Sequence, residues 1–273
     1  IVRLGFGGHP ATDVTTTMKQ GFPVQRTAIM DNDFSRAAEF YTKALLGDPD
    51  NRSILENALT AYLGLGELDR AAVVANRIVE DDSAGQLSTL ALIAADARVG
   101  DWDALIARID AGESVGPLFD GLAKAWAMSA AGQMADALEG FDELAANDGV
   151  AAFALYHKAL ALSLAGDHES AATIFAGDAG ETLRVTRRGI MAYAQILSQL
   201  DRNDDALELI DQSFGPILPP AIGALKAQLD AGEAVPFDIV QSPADGVAEA
   251  YFSIANALAG EAQAAYTLIY ARM

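Results

Sequence analysis

Four glycines in the chain are each followed by the same pattern of apolar and small residues. The residue two positions after the glycine is mostly apolar, the one five positions after it is small or aliphatic, and the one nine positions after it is apolar and usually large. Positions five and nine lie one helical turn apart on one face, so the pattern predicts a helix that begins just after each glycine. A glycine also suits the left-handed turn that joins this helix to a preceding one. The four sets are Gly66 with Leu68, Ala71 and Ala75; Gly100 with Trp102, Leu105 and Ile109; Gly132 with Met134, Ala137 and Phe141; and Gly166 with His168, Ala171 and Phe175.

Looser copies of the pattern follow Asn32, Asp201 and Gly260. A repeat of about 34 residues, built from a helix, a turn and a second helix, is typical of the tetratricopeptide repeat, and the chain resembles that family over residues 24–273. The best single match is DFSRAAEFYTKALLGDPDN, residues 33–51, which carries the family's aromatic, alanine and proline landmarks. The first six turn residues, Asn32, Gly66, Gly100, Gly132, Gly166 and Asp201, lie 34, 34, 32, 34 and 35 residues apart.

The resemblance implies a fold and a division of the chain. It implies an all-α, right-handed solenoid of about seven helical hairpins, whose first helices line a concave groove and whose second helices form the back. We expect residues 1–23 to be an N-terminal arm without a repeat, residues 24–212 to hold repeats one to six, and residues 213–245 to insert an extra helix and a proline-rich segment. Residues 246–273 then form a seventh hairpin. Because its last helix is strongly apolar, we expect the chain to be cut from something longer.

Composition narrows the classes of partner and of chemistry. The chain has 18 basic and 38 acidic residues, a net charge of -20, which repels nucleic-acid phosphates and anionic membranes. It has no cysteine, which excludes disulfides, thiolate zinc sites and cysteine nucleophiles. Its apolar runs are interrupted well before the roughly 20 residues that a membrane-spanning helix needs. We therefore expect no nucleic acid, no transmembrane segment and no cofactor, while the family resemblance implies a protein or peptide partner.

Three stretches imitate a chemical site, and each has a structural interpretation. Asp167, His168 and Glu169 stand where the second helix of a hairpin begins, so they suit capping, and their side chains point in different directions. DRNDDALELIDQ, residues 201–212, resembles a calcium loop but lacks its glycine and its final glutamate. GFGGHP, residues 5–10, is rich in glycine, but no helix follows it to bind a phosphate. The sequence shows no catalytic constellation and no pair of histidines at metal-binding spacing, so we predict that the chain is not an enzyme.

The groove side chains follow from counting back six, ten and thirteen residues from a turn glycine, a spacing that keeps to one helical face. Arg184 and Arg188 share a face of the next helix, where forked hydrogen bonds suit a carboxylate; the alternative is that they pair with the chain's own acids. We predict that the groove holds an apolar or amphipathic segment, supplied by a partner, by the insertion at residues 235–240 or by the arm. The alternative is that these side chains form ordinary core. Counting from Gly132 gives Trp126, Leu122 and Phe119, and counting from Gly166 gives Leu160, Tyr156 and Phe153.

The family resemblance carries the functional expectation, because a fold alone does not define a function. It implies a non-catalytic protein–protein interaction scaffold that binds a peptide or a helix in a concave, partly aromatic groove. The alternative is a structural subunit that is buried permanently in a larger assembly, for example one of the cell envelope. The stretches LYHKALALSLAGD and RVTRRG are similar to exported tetratricopeptide proteins of alphaproteobacteria, which favours the periplasm over the cytoplasm.

Overall fold

The computed structural model describes residues 33–80, 84–147, 149–177, 180–184, 186–259 and 264–273, and every regular element in these residues is a helix. The predicted all-α class, built from helical hairpins, is confirmed for them, whereas the arm at residues 1–23 lies outside the described residues. The right-handed twist of the array stays a prediction. The helices are α1 (Phe34–Gly47), α2 (Arg52–Leu65), α3 (Leu68–Glu80), α4 (Gln86–Val99), α5 (Trp102–Asp110), α6 (Pro117–Ala130), α7 (Met134–Ala145), α8 (Ala151–Leu164), α9 (His168–Ala176), α10 (Gly180–Leu183), α11 (Arg187–Gln199), α12 (Asn203–Ser213), α13 (Pro220–Asp230), α14 (Pro243–Leu258) and α15 (Ala264–Arg272).

A residue in the left-handed conformation joins the two helices of each described hairpin, as the glycine pattern predicts. Gly66 has a φ of 74°, and its amide donates to the carbonyl of Leu63 at 3.0 Å. The next amide donates to the carbonyl of Tyr62, so two carbonyls at the end of α2 find partners. The other turn residues of this kind are Gly100, Gly132 and Gly166, with φ of 77°, 79° and 88°, and Asp201, with φ of 58°.

The chain forms two compact units, and unit 1 consists of Ile1–Asp120 and Tyr251–Met273. In its described part, α1 to α5 pack on one another in chain order, and the first helices α2 and α4 also touch. The last helix, α15, packs on α2, where the guanidinium of Arg272 donates to the carbonyl of Gly64. Helices α1 and α15, the first and last described helices, therefore both pack on α2.

Unit 2 consists of Gly121–Ala250. Its first helices α8 and α11 touch, each packs on the second helix of its own hairpin, and α13 packs on α12. Helix α6 meets α7 where Leu144 lies against the bare backbone of Gly121. Helix α13 lies within residues 213–245, where the sequence predicts an extra helix. The helices α6 and α14 each contribute residues to both units.

Candidate functional site

The predicted groove residues of unit 2 lie on α6, α8 and α11, the first helices of their hairpins. Leu122, Trp126 and Leu160 are fully buried, Tyr156 is partly buried, and Arg188 keeps 38% of its side chain exposed. We call the face formed by Trp126, Tyr156 and Arg188 the central groove. It is covered, because two other segments of unit 2 lie on it.

The first covering segment is the beginning of α14, whose backbone lies directly on Trp126. A Cβ atom at Gly246 would overlap the Cδ2, Cε2 and Cε3 atoms of the indole ring. Glycine is therefore the residue that fits here without displacing the ring. The neighbouring Val247 and Ala250 are also buried. The helix is thus seated by close backbone contact rather than by a large side chain.

One turn further along α14, Glu249 is held by two groove residues. The Nε of Arg188 donates to Oε1 of Glu249 at 2.9 Å, and Nη2 of Arg188 lies 2.5 Å from Oε2. The phenol of Tyr156 donates to the same Oε1 at 2.9 Å. Glu249 is only 4% exposed, so this forked ion pair compensates a carboxylate that is almost removed from water.

Burial and the contact with Glu249 together shift the pKa of both groove residues, Tyr156 and Arg188. Burial, and then the negative charge of Glu249, raises the pKa of Tyr156 well above its usual value, so the phenol stays protonated and donates. Burial lowers the pKa of Arg188, but the hydrogen bond and the charge of Glu249 outweigh burial and raise it overall. The phenol of Tyr156 therefore stays a donor to Glu249, and the guanidinium of Arg188 stays charged.

The second covering segment is the insertion at residues 235–240, which runs along α11. The amide of Asp238 donates to Oε1 of Gln195 at 3.1 Å, and Nε2 of Gln195 donates back to the Asp238 carboxylate at 2.5 Å. The amide of Val235 donates to the hydroxyl of Ser198 at 2.9 Å. The insertion is one of the three sources that the sequence predicts for a groove segment, whereas α14 is a source that it did not predict.

Beneath the groove, a histidine fixes the position of Trp126. The indole Nε1 of Trp126 donates to Nδ1 of His157 at 3.0 Å, and His157 is fully buried. Burial lowers the pKa of His157 to about 3, because the charged imidazolium is costly away from water. His157 is therefore neutral and accepts at Nδ1, which it can do only without a proton on that atom.

The neutral state of His157 predicts a loss of stability in mild acid. Its pKa is about 3 in the folded chain and about 6.5 when unfolded, so the stabilisation is complete above pH 6.5 and is lost as the pH falls from 6.5 towards 3. We expect the free energy of unfolding to fall by about 1 kcal/mol for each pH unit below 6.5 from this residue. Urea unfolding of the full chain at pH 7.5, 6.5 and 5.5 measures the slope.

The control for this pH dependence is His157→Asn, which keeps an acceptor near the indole and removes the titrating ring. Its unfolding free energy is expected to change less between pH 6.5 and 5.5 than that of the wild-type chain. Identical pH slopes for the two chains would contradict the assignment of a buried neutral His157.

Two other predicted apolar residues are Phe119 and Phe153. Phe119 belongs to unit 1, where its ring meets that of Tyr251 edge-on, with 4.6 Å between the ring centres. The hydroxyl of Tyr251 donates to the carbonyl of Leu90 at 2.6 Å. Phe153 is partly buried at the start of α8. The structure thus places Trp126, Tyr156 and Arg188 against α14, whereas the ring of Phe119 contacts Tyr251 of unit 1.

Arg184 does not join Arg188 in binding a carboxylate. Its Nε donates to the carbonyl of Gly180 at 3.0 Å, and its guanidinium lies 5.9 Å from the ring centre of Tyr193. The prediction that Arg184 and Arg188 share one helical face is wrong, because α10 ends at Leu183 and α11 begins only at Arg187. For Arg188 the alternative interpretation holds, since its partner is an acid of the same chain.

The stretches that imitate chemical sites have structural roles where they are described. The carboxylate of Asp167 accepts from the amide of Ser170 at 3.0 Å and caps α9, and this hydrogen bond lowers its pKa. Residues 203–212 lie in helix α12, so their acids spread around it. Among the described residues, no group of three or more histidines, aspartates or glutamates is placed to hold a metal ion. No helix in the described part of the chain has the length and apolarity to cross a membrane.

Three residues that build the site, Gly246, Glu249 and His157, were missed by the sequence pattern. A signal exists for Glu249, which is the one charged residue in the stretch GVAEAYFSIANAL, residues 246–258. An acid in an otherwise uncharged apolar helix indicates a buried partner of opposite charge. No comparable signal marks Gly246, since its role depends on the position of Trp126 in space.

Comparison with known proteins adds no family. No protein-family model matches the chain, and no curated protein matches it at a significant level.

Proposed function

We propose that the chain is a non-catalytic protein–protein interaction scaffold of the tetratricopeptide kind, which binds a helical segment in the central groove. One observation carries the proposal: α14 lies on the predicted groove residues, and its Glu249 is hydrogen-bonded to Arg188 and Tyr156. An amphipathic helix laid into an apolar groove is a common mode of protein recognition. We take the chain's own helix as the stand-in for a partner's helix.

The chemistry of the central groove supports this function. Aromatic side chains and arginine contribute most of the binding energy at protein interfaces, and the groove combines Trp126, Tyr156 and Arg188. The indole offers a flat apolar floor, whereas the guanidinium fixes the direction of an incoming carboxylate through two parallel hydrogen bonds. Affinity and orientation thus come from different side chains of the same site.

The test is recovery of a partner from the native host with tagged forms of the full chain. We expect Glu249→Gln, which loosens α14, to recover more of a given partner than the wild-type chain does. Arg188→Gln removes the guanidinium that binds the carboxylate, and it is expected to recover less of that partner than Glu249→Gln. Arg202→Gln is the matched control, because Arg202 forms an exposed ion pair with Asp205, and it is expected to behave as wild type.

Two results would count against the proposal. A partner recovered equally by all four chains binds somewhere other than the central groove. A chain that is insoluble unless other subunits are expressed with it is a structural subunit of a larger assembly, and the scaffold function is then wrong. The identified partner is afterwards purified, and its binding to the four chains is measured directly.

We further propose that the protein works in the periplasm, with the cytoplasm as the alternative. The support is the similarity of LYHKALALSLAGD and RVTRRG to exported tetratricopeptide proteins. Fractionation of native cells, followed by immunodetection of the chain, distinguishes the two compartments.

A further inference from the structure

A segment without regular secondary structure, residues 233–240, runs along α11, and we call it the strap. Its backbone is bound by polar side chains of that helix. The amide of Val235 donates to the hydroxyl of Ser198 at 2.9 Å, and the carbonyl of Val235 accepts from Nε2 of Gln199 at 2.6 Å. Because both peptide groups find a partner on α11, the path of the strap is fixed at this point.

The middle of the strap is bound by Gln195 in both directions. The amide of Asp238 donates to Oε1 of Gln195 at 3.1 Å, and Nε2 of Gln195 donates to the carboxylate of Asp238 at 2.5 Å. Gln195 is only 3% exposed, and a buried side-chain amide that loses a partner is costly. This pair of hydrogen bonds therefore holds the strap in one register on α11.

The end of the strap shares a partner with α14. Nη2 of Arg188 donates to the carbonyl of Ile239 at 3.3 Å, and the same guanidinium binds both carboxylate oxygens of Glu249. Arg188, Gln195 and Gln199 lie seven and four residues apart along α11, a spacing that keeps to one helical face. One face of α11 therefore binds the strap and the beginning of α14 together.

Two residues connect the strap to α14, and both are hydrogen-bonded. The amide of Gln241 and the hydroxyl of Ser242 donate to the carboxylate of Asp245, at 3.0 and 2.9 Å. The amide of Asp245 donates in turn to the hydroxyl of Ser242 at 3.2 Å. These reciprocal bonds resemble a capping box, which satisfies free amides where a helix begins. A shift of the strap along α11 is therefore passed on to the first turn of α14.

We infer that the strap is a positioning device, which sets where the beginning of α14 lies on the central groove. Arg188 joins the two segments, because it binds a backbone carbonyl of the strap and a carboxylate of the helix. The alternative is that α14 is placed independently, by the contact of Gly246 with Trp126. The inference does not require α14 to leave the groove, and it is independent of the proposed function.

A strap that positions α14 opens to solvent together with it. Amides of a folded protein exchange hydrogen during brief local openings, and residues that open as one unit share one free energy of opening. The amides of Val235 and Glu249 are therefore expected to respond alike to a change made in the strap. An α14 that is placed independently keeps its own exchange rate.

The test is amide hydrogen exchange in the purified full chain with Asp238→Ala, which removes the carboxylate that accepts from Gln195 and leaves α14 unchanged. We expect exchange at Val235 and at Glu249 to become faster by the same factor, about tenfold, the effect of losing one hydrogen bond to a charged group. Amides of α7 are expected to keep their wild-type rates. The matched control, Asp205→Ala, removes an exposed carboxylate elsewhere in unit 2 and is expected to change none of these rates.

Three results would overturn the inference. Faster exchange at Val235 with unchanged exchange at Glu249 shows that the strap moves without α14. An equal rise in α7 shows that the strap opens only when unit 2 unfolds as a whole. Unchanged exchange at Val235 shows that Asp238 does not hold the strap. A second variant, Gln195→Leu, removes both hydrogen bonds to Asp238 and is expected to accelerate Val235 and Glu249 further, again by one common factor.

Discussion

Replacing Trp126 with alanine is expected to lower the free energy of unfolding by about 3–5 kcal/mol. The indole is fully buried, packs edge-on against Phe141 and carries the backbone of Gly246. Its removal leaves a void and also removes the donor to Nδ1 of His157. Urea unfolding of the full chain, followed by circular dichroism, measures the change.

The matched control for Trp126 is Ile217→Ala, because Ile217 is 90% exposed. This substitution is expected to change the unfolding free energy by no more than about 0.5 kcal/mol. A Trp126→Ala chain that unfolds like the wild type would contradict the structural role of the buried indole under α14.

Replacing Arg188 with alanine is expected to lower the free energy of unfolding by about 3 kcal/mol. The loss comes mainly from Glu249, which is 4% exposed and would be left without the guanidinium that compensates its burial. The partial exposure of Arg188 places the effect at the lower end for a buried ion pair. The same unfolding experiment, at pH 7.5, measures it.

Two further chains test the cause of the loss at Arg188. Arg202→Ala removes an exposed ion pair with Asp205 and is expected to change the free energy by less than about 1 kcal/mol. The double substitution Arg188→Met with Glu249→Leu removes both charges and is expected to be more stable than Arg188→Ala alone. If Arg188→Ala is no less stable than Arg202→Ala, the ion pair between Arg188 and Glu249 does not stabilise the packing of α14.

The helices and turns were predictable because they depend on residues that are close in sequence. The turn at Gly166 needs one residue that tolerates a positive φ, and Asp167 caps the next helix through an amide three residues ahead. Trp126 and Tyr156 were selected in the same way, by counting back along one helical face, and the structure places both against α14. The same counting does not detect the break between α10 and α11, which is why the pairing of Arg184 with Arg188 was predicted wrongly.

The repeat pattern did not predict the packing of α14 on the central groove. Glu249 is 93 residues from Tyr156 and 61 residues from Arg188. A repeat pattern describes contacts between neighbouring hairpins, and by that pattern α14 is simply the first helix of the next one. What distinguishes α14 is the fit of a bare glycine on a fixed indole, and that fit exists only once Trp126 has a position in space.

The long separation in sequence between the groove residues and α14 also determines the order in which they are synthesised. Arg188 leaves the ribosome 61 residues before Glu249, which corresponds to about 3–12 s at ordinary rates of translation. During this interval the indole floor has no cover from α14, so an apolar surface is open to chaperones and to neighbouring nascent chains. In a simple repeat array each new hairpin completes the contacts of the previous one as it emerges. Here Trp126 on α6 is synthesised long before α14, which covers it. Unit 2 therefore finishes folding only when α14 has been made.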